Sequence, residues 1–266
     1  MPNQTLLHTI LAPGGLSTVF QPIYEIQAGQ IEIFALEALT RGPKLSNLER
    51  AEVLFEYVRR KSAEPAVDRA CIELALREAA RIPLNVALSI NVHVATLERD
   101  EAFDRFLAGC CEATGINPSR IVLEIVEQQR YWDATRFHRM VRKLRDDGVR
   151  IALDDVGRGN SNYRMMVEVR PDFVKVDRYF VEGCDVNAGA LSAIESMVLL
   201  ATRLGGRVIG EGIEATAELA AVTDLGIGLV QGFLLGRPRT ACEFINDAQP
   251  GPRKFASEIN HVTHVH

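Results

Sequence analysis

The sequence predicts an α/β fold, a (β/α)8 TIM-like barrel, on three observations. Eight strand-sized apolar segments alternate with helical ones along almost the whole of the 266 residues. Most of these strands close on a polar residue at the C-terminal end, where a barrel of this kind gathers its chemistry. No Gly-x-Gly-x-x-Gly follows the first strand, which weakens the rival fold, a doubly wound dinucleotide-binding sheet.

Residues 4–11 read as a short helix, stopped by Pro13, Gly14 and Gly15. Thr18 to Ile23 is the first strand and Ile31 to Leu39 the second. Asn47 to Arg60 and Glu64 to Ala80 are helical, the latter with Val67, Cys71, Leu74 and Ala75 as its apolar stripe. Val86 to Asn91 is the third strand, followed by a helix over Glu98 to Thr114 that Gly115 ends. Ile121 to Ile125 is the fourth strand. Asp133 can cap the next helix, which carries Phe137, Met140, Val141 and Leu144. Arg150 to Asp154 is the fifth strand; neighbouring residues on a strand point to opposite faces, so Asp155 can join Asp154 only if it belongs to the turn that Gly157 and Gly159 permit. A short helix over Asn162 to Glu168, strand six (Phe173 to Val176), a helix over Ala188 to Leu204, strand seven (Arg207 to Gly210), a helix over Thr216 to Thr223 and strand eight (Leu229 to Gln231) follow. Thr240 to Glu243 has the form of a capping box for a last helix. Residues 1–250 read as a single barrel domain, and 251–266 as a polar, mobile tail.

Hydrophobic residues make up 47%, enough for a sizeable core. The net charge of −5 comes without a basic block, which argues against polynucleotide as a partner. Five scattered cysteines suggest reduced thiols and a cytoplasmic location. The apolar runs are too short to span a membrane, and Met1 to Gln4 lack the basic region of a signal peptide.

The strand faces locate the chemistry. Ala87, Ser89 and Asn91 share one face of strand three; the same face carries Ala35 and Glu37 on strand two, Val122 and Glu124 on strand four, and Ala152 and Asp154 on strand five. Lys175, Glu211 and Gln231 end strands six, seven and eight in the same way. No histidine or cysteine is expected at a strand end, so the set Glu37, Asn91, Glu124, Asp154, Asp155, Lys175, Glu211 and Gln231 offers hard oxygen ligands that select Mg²⁺ or Mn²⁺. Five acids and one lysine this close repel one another unless cations lie between them. Paired divalent ions are a recurring device for phosphodiester hydrolysis, and Lys175 could orient the attacking water or neutralise transition-state charge.

The same residues resemble the EAL domain family, whose members hydrolyse cyclic di-GMP. Glu37-Ala38-Leu39 is the naming motif, and Phe20-Gln21-Pro22-Ile23, Ser89-Ile90-Asn91-Val92, Glu124-Ile125-Val126-Glu127, Asp154-Asp155-Val156-Gly157, Val174-Lys175-Val176-Asp177, Glu211-Gly212-Ile213-Glu214 and Gln231-Gly232-Phe233 match the family's other motifs in order. The resemblance implies a first strand antiparallel to the rest. It implies two metal ions, one held by Glu37, Asn91, Glu124 and Asp154, the other held or served by Asp154, Asp155 and Glu211. Lys175 and Glu211 match the positions for water activation. Gln21, Leu39, Arg41 and Gln231, with Asp177 and Glu214 from the later motifs, match substrate-binding positions, and Glu127 matches an acid that braces the loop after strand five. It implies hydrolysis of cyclic di-GMP to linear pGpG by a homodimer; the alternative is a receptor or interaction module that binds without turnover. Control, if any, is expected from a separate regulatory protein, from expression level or from self-association. The chain departs from the family at Val126, Val156, Arg158, Asn160 and His93, and His93 is expected as a loop residue with a local hydrogen bond.

Overall fold

The computed structural model describes residues 6–27, 30–126, 133–157 and 162–246, and its eight strands close into one barrel in chain order. β1 (Ser17–Gln27) runs antiparallel to both its neighbours, β2 (Gln30–Arg41) and β8 (Leu229–Val230). β3 (Ala87–His93), β4 (Ile121–Val126), β5 (Arg150–Val156), β6 (Phe173–Val176) and β7 (Arg207–Gly210) complete a parallel run from β2 round to β8. Glu127, Arg158, Asn160 and the tail 251–266 lie outside the described residues.

Each strand contributes one side chain to an apolar plug inside the barrel: Ile23, Ala35, Ala87, Val122, Ala152, Phe173, Ile209 and Leu229. Three alanines leave room for Phe173, whose ring meets the edge of Phe34 at a centroid distance of 5.5 Å. Side chains two positions apart on a strand share a face. The next inward residue towards the mouth is therefore Glu37, Ser89, Glu124, Asp154, Lys175, Glu211 or Gln231, and Gln21 on the antiparallel β1. The opposite faces, such as Leu88, Ile90 and Val92 of β3, pack under the helices.

The chain departs from the sequence expectation where non-local contacts intervene. The helix expected from Asn47 is a 3-10 turn, Asn47–Glu49, then α2 (Ala51–Arg60), because Arg50 is extended between them. (α1 is the short Leu6–Leu11.) α3 (Glu64–Ala79) buries Val67, Cys71, Ile72, Ala75 and Leu76 rather than Leu74, and buries Glu64 and Asp68 on that same face. The helix expected over Glu98–Thr114 is two, α4 (Val94–Arg99) and α5 (Phe103–Thr114). Asp100 separates them, held by Arg69 at 2.5 and 2.7 Å and accepting from Ala102 N. Asp133 caps α6 (Ala134–Asp146), accepting from Thr135 N and Arg136 N at 3.0 and 3.2 Å. The Thr240 capping box forms as expected.

β5 does not end at Asp154. It continues to Val156, and its register against β6 breaks between Leu153 and Val156. Asp155 takes φ +51° at this bulge, so the turn that brings both carboxylates to one side is made inside the strand. Gly157 follows with φ +104°; a Cβ there would meet the Phe180 ring at 2.4 Å and Met197 Cε at 2.7 Å. Among the described residues no helix is long and apolar enough to cross a membrane, and the five cysteines are unbridged.

If the plug carries the fold, Phe173→Ala will lower stability by about 3–5 kcal/mol. Asp133→Ala, which removes only a cap, will lower it by about 1 kcal/mol. Urea unfolding of both variants checks this; a smaller loss at Phe173 than at Asp133 would mean the plug is not the packed centre.

Candidate active site

Lys175 stands at the mouth end of β6 with 1% of its side chain exposed. Its Nζ lies 2.6 Å from Glu124 Oε2, 2.7 Å from Glu211 Oε1, 3.3 Å from Asp154 Oδ1 and 3.4 Å from Glu37 Oε1. Burial alone would pull its pKa down, but the carboxylates of Asp154, Glu124, Glu211 and Glu37 hold it well above the usual lysine value. One ammonium cannot neutralise this many acids. Burial and the neighbouring Glu37 push Glu124 up to about 8. Glu211 rises well above its ordinary value through burial, despite Lys175, with Asp154, Glu37 and Glu124 adding repulsion. Burial, Asp154 and a hydrogen bond shared with Asp177 push Asp155 up to about 7. Glu37 goes down: burial opposes that shift, but Lys175, Gln231 and Asn91 outweigh it.

Neighbouring donors fix the acids in place. Ser89 Oγ donates to Glu124 Oε1. Gln231 Nε2 donates to Glu37 Oε2 at 2.7 Å, and Asn91 Nδ2 lies 3.4 Å from Glu37 Oε1. Gln231 Oε1 is buried without a hydrogen-bond partner among the described residues. Asp154, Asp155 and Glu211 each offer an oxygen within 4.8 Å of the others. Oxygens on opposite sides of a divalent ion bound at about 2.0–2.4 Å stand roughly that far apart, so the trio fits such an ion. The donor set is wholly oxygen, and the surplus of negative charge favours a cation there.

A cleft of about 600 Å³ opens beside these residues. Glu37, Asn91, Asp154 and Asp155 line it, together with Leu39, Arg41, Phe55, Arg59, Asp68 and His93. Of the remaining expected contacts, Gln21 pairs across from Glu37 and donates to Gly236 O at 3.0 Å. Asp177 is buried and accepts from Tyr179 N at 2.8 Å, as well as bonding Asp155. Glu214 is half exposed and engaged with Arg178 at 2.9 Å.

His93 corrects the sequence reading. It is the last residue of β3, not a loop residue, so a histidine does stand at a strand end. Its hydrogen bonds are not local either: Asp68, 25 positions earlier on α3, accepts from His93 N at 2.9 Å and binds Nδ1 at 2.8 Å. Thr96 Oγ1 adds a third donor to Asp68 at 2.5 Å. Burial works against His93's charged form, yet Asp68 raises its pKa above the ordinary histidine value. Asp68, Phe55 and Arg59 are absent from the sequence-derived set. The available signal for Asp68 was an acid in helical step with Cys71, Ile72 and Ala75.

The EAL domain family model matches residues 3–238. A cyclic di-GMP phosphodiesterase of Pseudomonas aeruginosa is 29% identical over 230 residues, covering 84% of this chain and 38% of that protein. The standalone versatile EAL protein from Vibrio cholerae, solved in a c-di-GMP bound form, gives a TM-score of 0.75 at 26% identity, over 87% of this chain and 98% of that one. Klebsiella pneumoniae BlrP1, solved with calcium and cyclic di-GMP, gives 0.76 at 25% identity, over 85% of this chain and 56% of that one. The chain spans 28%, 17% and 38% of the length of three curated relatives it matches.

Two measurements follow from the charge imbalance. Lys175→Met leaves Glu124 and Glu37 buried without their counter-charge, and will destabilise the protein in EDTA by about 3 kcal/mol; Asp154→Asn will cost far less, because it relieves repulsion. Urea unfolding decides, and equal stability of Lys175→Met and the parent would contradict it. The raised acids also set a pH dependence. Asp155 and Glu124 keep protons in the metal-free fold up to about 7 and 8, against ordinary values of 3.8 and 4.5. Their contribution to stability is full below the ordinary values and is lost as pH rises through the folded ones. Metal binding must expel those protons, so Mn²⁺ affinity will rise between pH 6 and pH 8, with on the order of one proton released per site. Calorimetry in buffers of different ionisation enthalpy reads that release; affinity that falls as pH rises would contradict it.

Proposed function

The chain belongs to the EAL domain family, and we propose that it is a metal-dependent phosphodiesterase that hydrolyses cyclic di-GMP to linear pGpG. The observation that carries this reading is a buried Lys175 held by four carboxylates beside the Asp154, Asp155 and Glu211 oxygens. The names of the Pseudomonas, Vibrio and Klebsiella relatives support it.

Glu37, Asn91, Glu124 and Asp154 would hold one Mg²⁺ or Mn²⁺ ion, and Asp154, Asp155 and Glu211 a second. When bound, such ions supply Lewis-acid stabilisation of phosphodiester charge and make water more acidic. Ser89 and Gln231 keep Glu124 and Glu37 from turning away, through the hydrogen bonds they donate. Glu211 keeps 18% of its side chain exposed against 0% for Glu124, so water can reach it. Glu211 accepts the proton that the attacking water gives up. Lys175 orients that water with its donors and places positive charge against the negative charge that builds on the phosphoryl oxygens. Gln21, Leu39, Arg41, Asp177, Glu214 and Gln231 contact the nucleotide. Leu39 and Arg41 line the cleft, where both would meet it directly.

The protein acts as a homodimer in this reading. α7 (Asn162–Val169) and α8 (Arg178–Val181), beside β5 and β6, expose Tyr163, Val167 and Tyr179. An activity that stays full in a protein sedimenting as a monomer across micromolar concentrations would contradict it.

Incubation with cyclic di-GMP and Mg²⁺ or Mn²⁺ will yield linear pGpG, resolved by chromatography. Ca²⁺ will not support turnover, because its longer and looser coordination makes a poorer Lewis acid. Lys175→Ala will cut turnover by roughly 10²-fold or more. Binding without any linear product would make the protein a receptor rather than an enzyme, and near-normal turnover of Lys175→Ala would remove the lysine from the mechanism.

A further inference from the structure

The cleft lining includes polar side chains, Arg59 among them, to which the proposed hydrolysis gives no role. Arg59, on α2, is half-buried and has no ion pair or hydrogen bond to any described residue. An arginine inside a cleft, with no carboxylate of its own, keeps its planar fork of donors for a ligand. The wall beside it is tied together by contacts between α2, α3 and β3. Asp68 grips both the backbone N and the Nδ1 of His93, and the His93 ring packs on Phe55 with centroids 5.2 Å apart. Leu39, Ala75 and Ile90 make the same cavity partly apolar. A cleft lined both by acidic oxygens and by an arginine and an aromatic pair matches the two ends of a nucleotide.

Resting on the phosphodiesterase reading, we infer that Arg59 selects the base, donating its fork to the O6 and N7 acceptors of a guanine that lies against the Phe55–His93 wall. Guanine presents two acceptors side by side on that edge, and an arginine matches them as a pair. Adenine presents an amino donor beside N7, so the same fork meets a donor and loses one bond. A site built on hydrogen bonds discriminates strongly, because a wrong base leaves a buried polar group without a partner.

The test measures binding of cyclic di-GMP and cyclic di-AMP to the whole protein in Ca²⁺ by calorimetry, and KM and kcat for cyclic di-GMP in Mn²⁺. Arg59→Met will weaken cyclic di-GMP at least tenfold, leave cyclic di-AMP within threefold of the parent, and raise KM while kcat stays within threefold. Arg59→Lys, which keeps the charge but not the fork, will recover only part of the loss. If both dinucleotides weaken equally, Arg59 holds phosphate and base selection is wrong. If neither changes, Arg59 is a solvated side chain and the inference falls. If the parent binds neither dinucleotide, the phosphodiesterase reading fails as well, an outcome distinct from the other two.

Discussion

One ammonium among four carboxylates is the interaction on which the rest depends. Lys175 reaches Glu37, Glu124, Asp154 and Glu211 from a position with almost no water. Charges in such a place are tolerated only when paired and hydrogen-bonded. Lys175 pairs them incompletely, and the remainder appears as acids that resist ionising, Glu124 and Glu211 against the lysine and Asp155 beside Asp154 and Asp177. A divalent cation would complete the balance, so the electrostatics that strain the metal-free barrel are those that would drive metal uptake.

The barrel makes that crowding possible. The apolar plug fixes strand tilt and spacing from below, and each polar residue sits two positions further along the same inward face. β5 adds an irregular element at the mouth. Its bulge puts Asp155 at φ +51°, a conformation that aspartate tolerates better than most residues, and Gly157 then turns the chain closely past Phe180 and Met197. Without the bulge, strand alternation would send the second carboxylate to the helix-facing side.

Much of this was legible in the sequence because it is local. Period-two alternation identified the inward faces, and Asp133 and Thr240 announced their helices through residues two and three positions away. What stayed hidden depends on partners distant in the chain. The break at Asp100 is set by Arg69, 31 positions earlier, and the role of His93 by Asp68, 25 positions earlier. The bulge in β5 is defined only by its register against β6. The antiparallel β1 was implied by family resemblance, because periodicity carries no strand direction. Arg59 escaped notice because an arginine on an amphipathic helix reads as solvated until the cleft is seen.

The acids at the barrel mouth would, in the proposed reading, form a divalent metal centre built around Lys175. Anomalous scattering from crystals grown with Mn²⁺ tests it most directly. Strong peaks are expected within coordination distance of Asp154, Asp155 and Glu211, and of the Glu37 and Glu124 carboxylates. Saturating Mn²⁺ with no anomalous peak at the mouth, and Lys175 still the sole cation facing those acids, would contradict it.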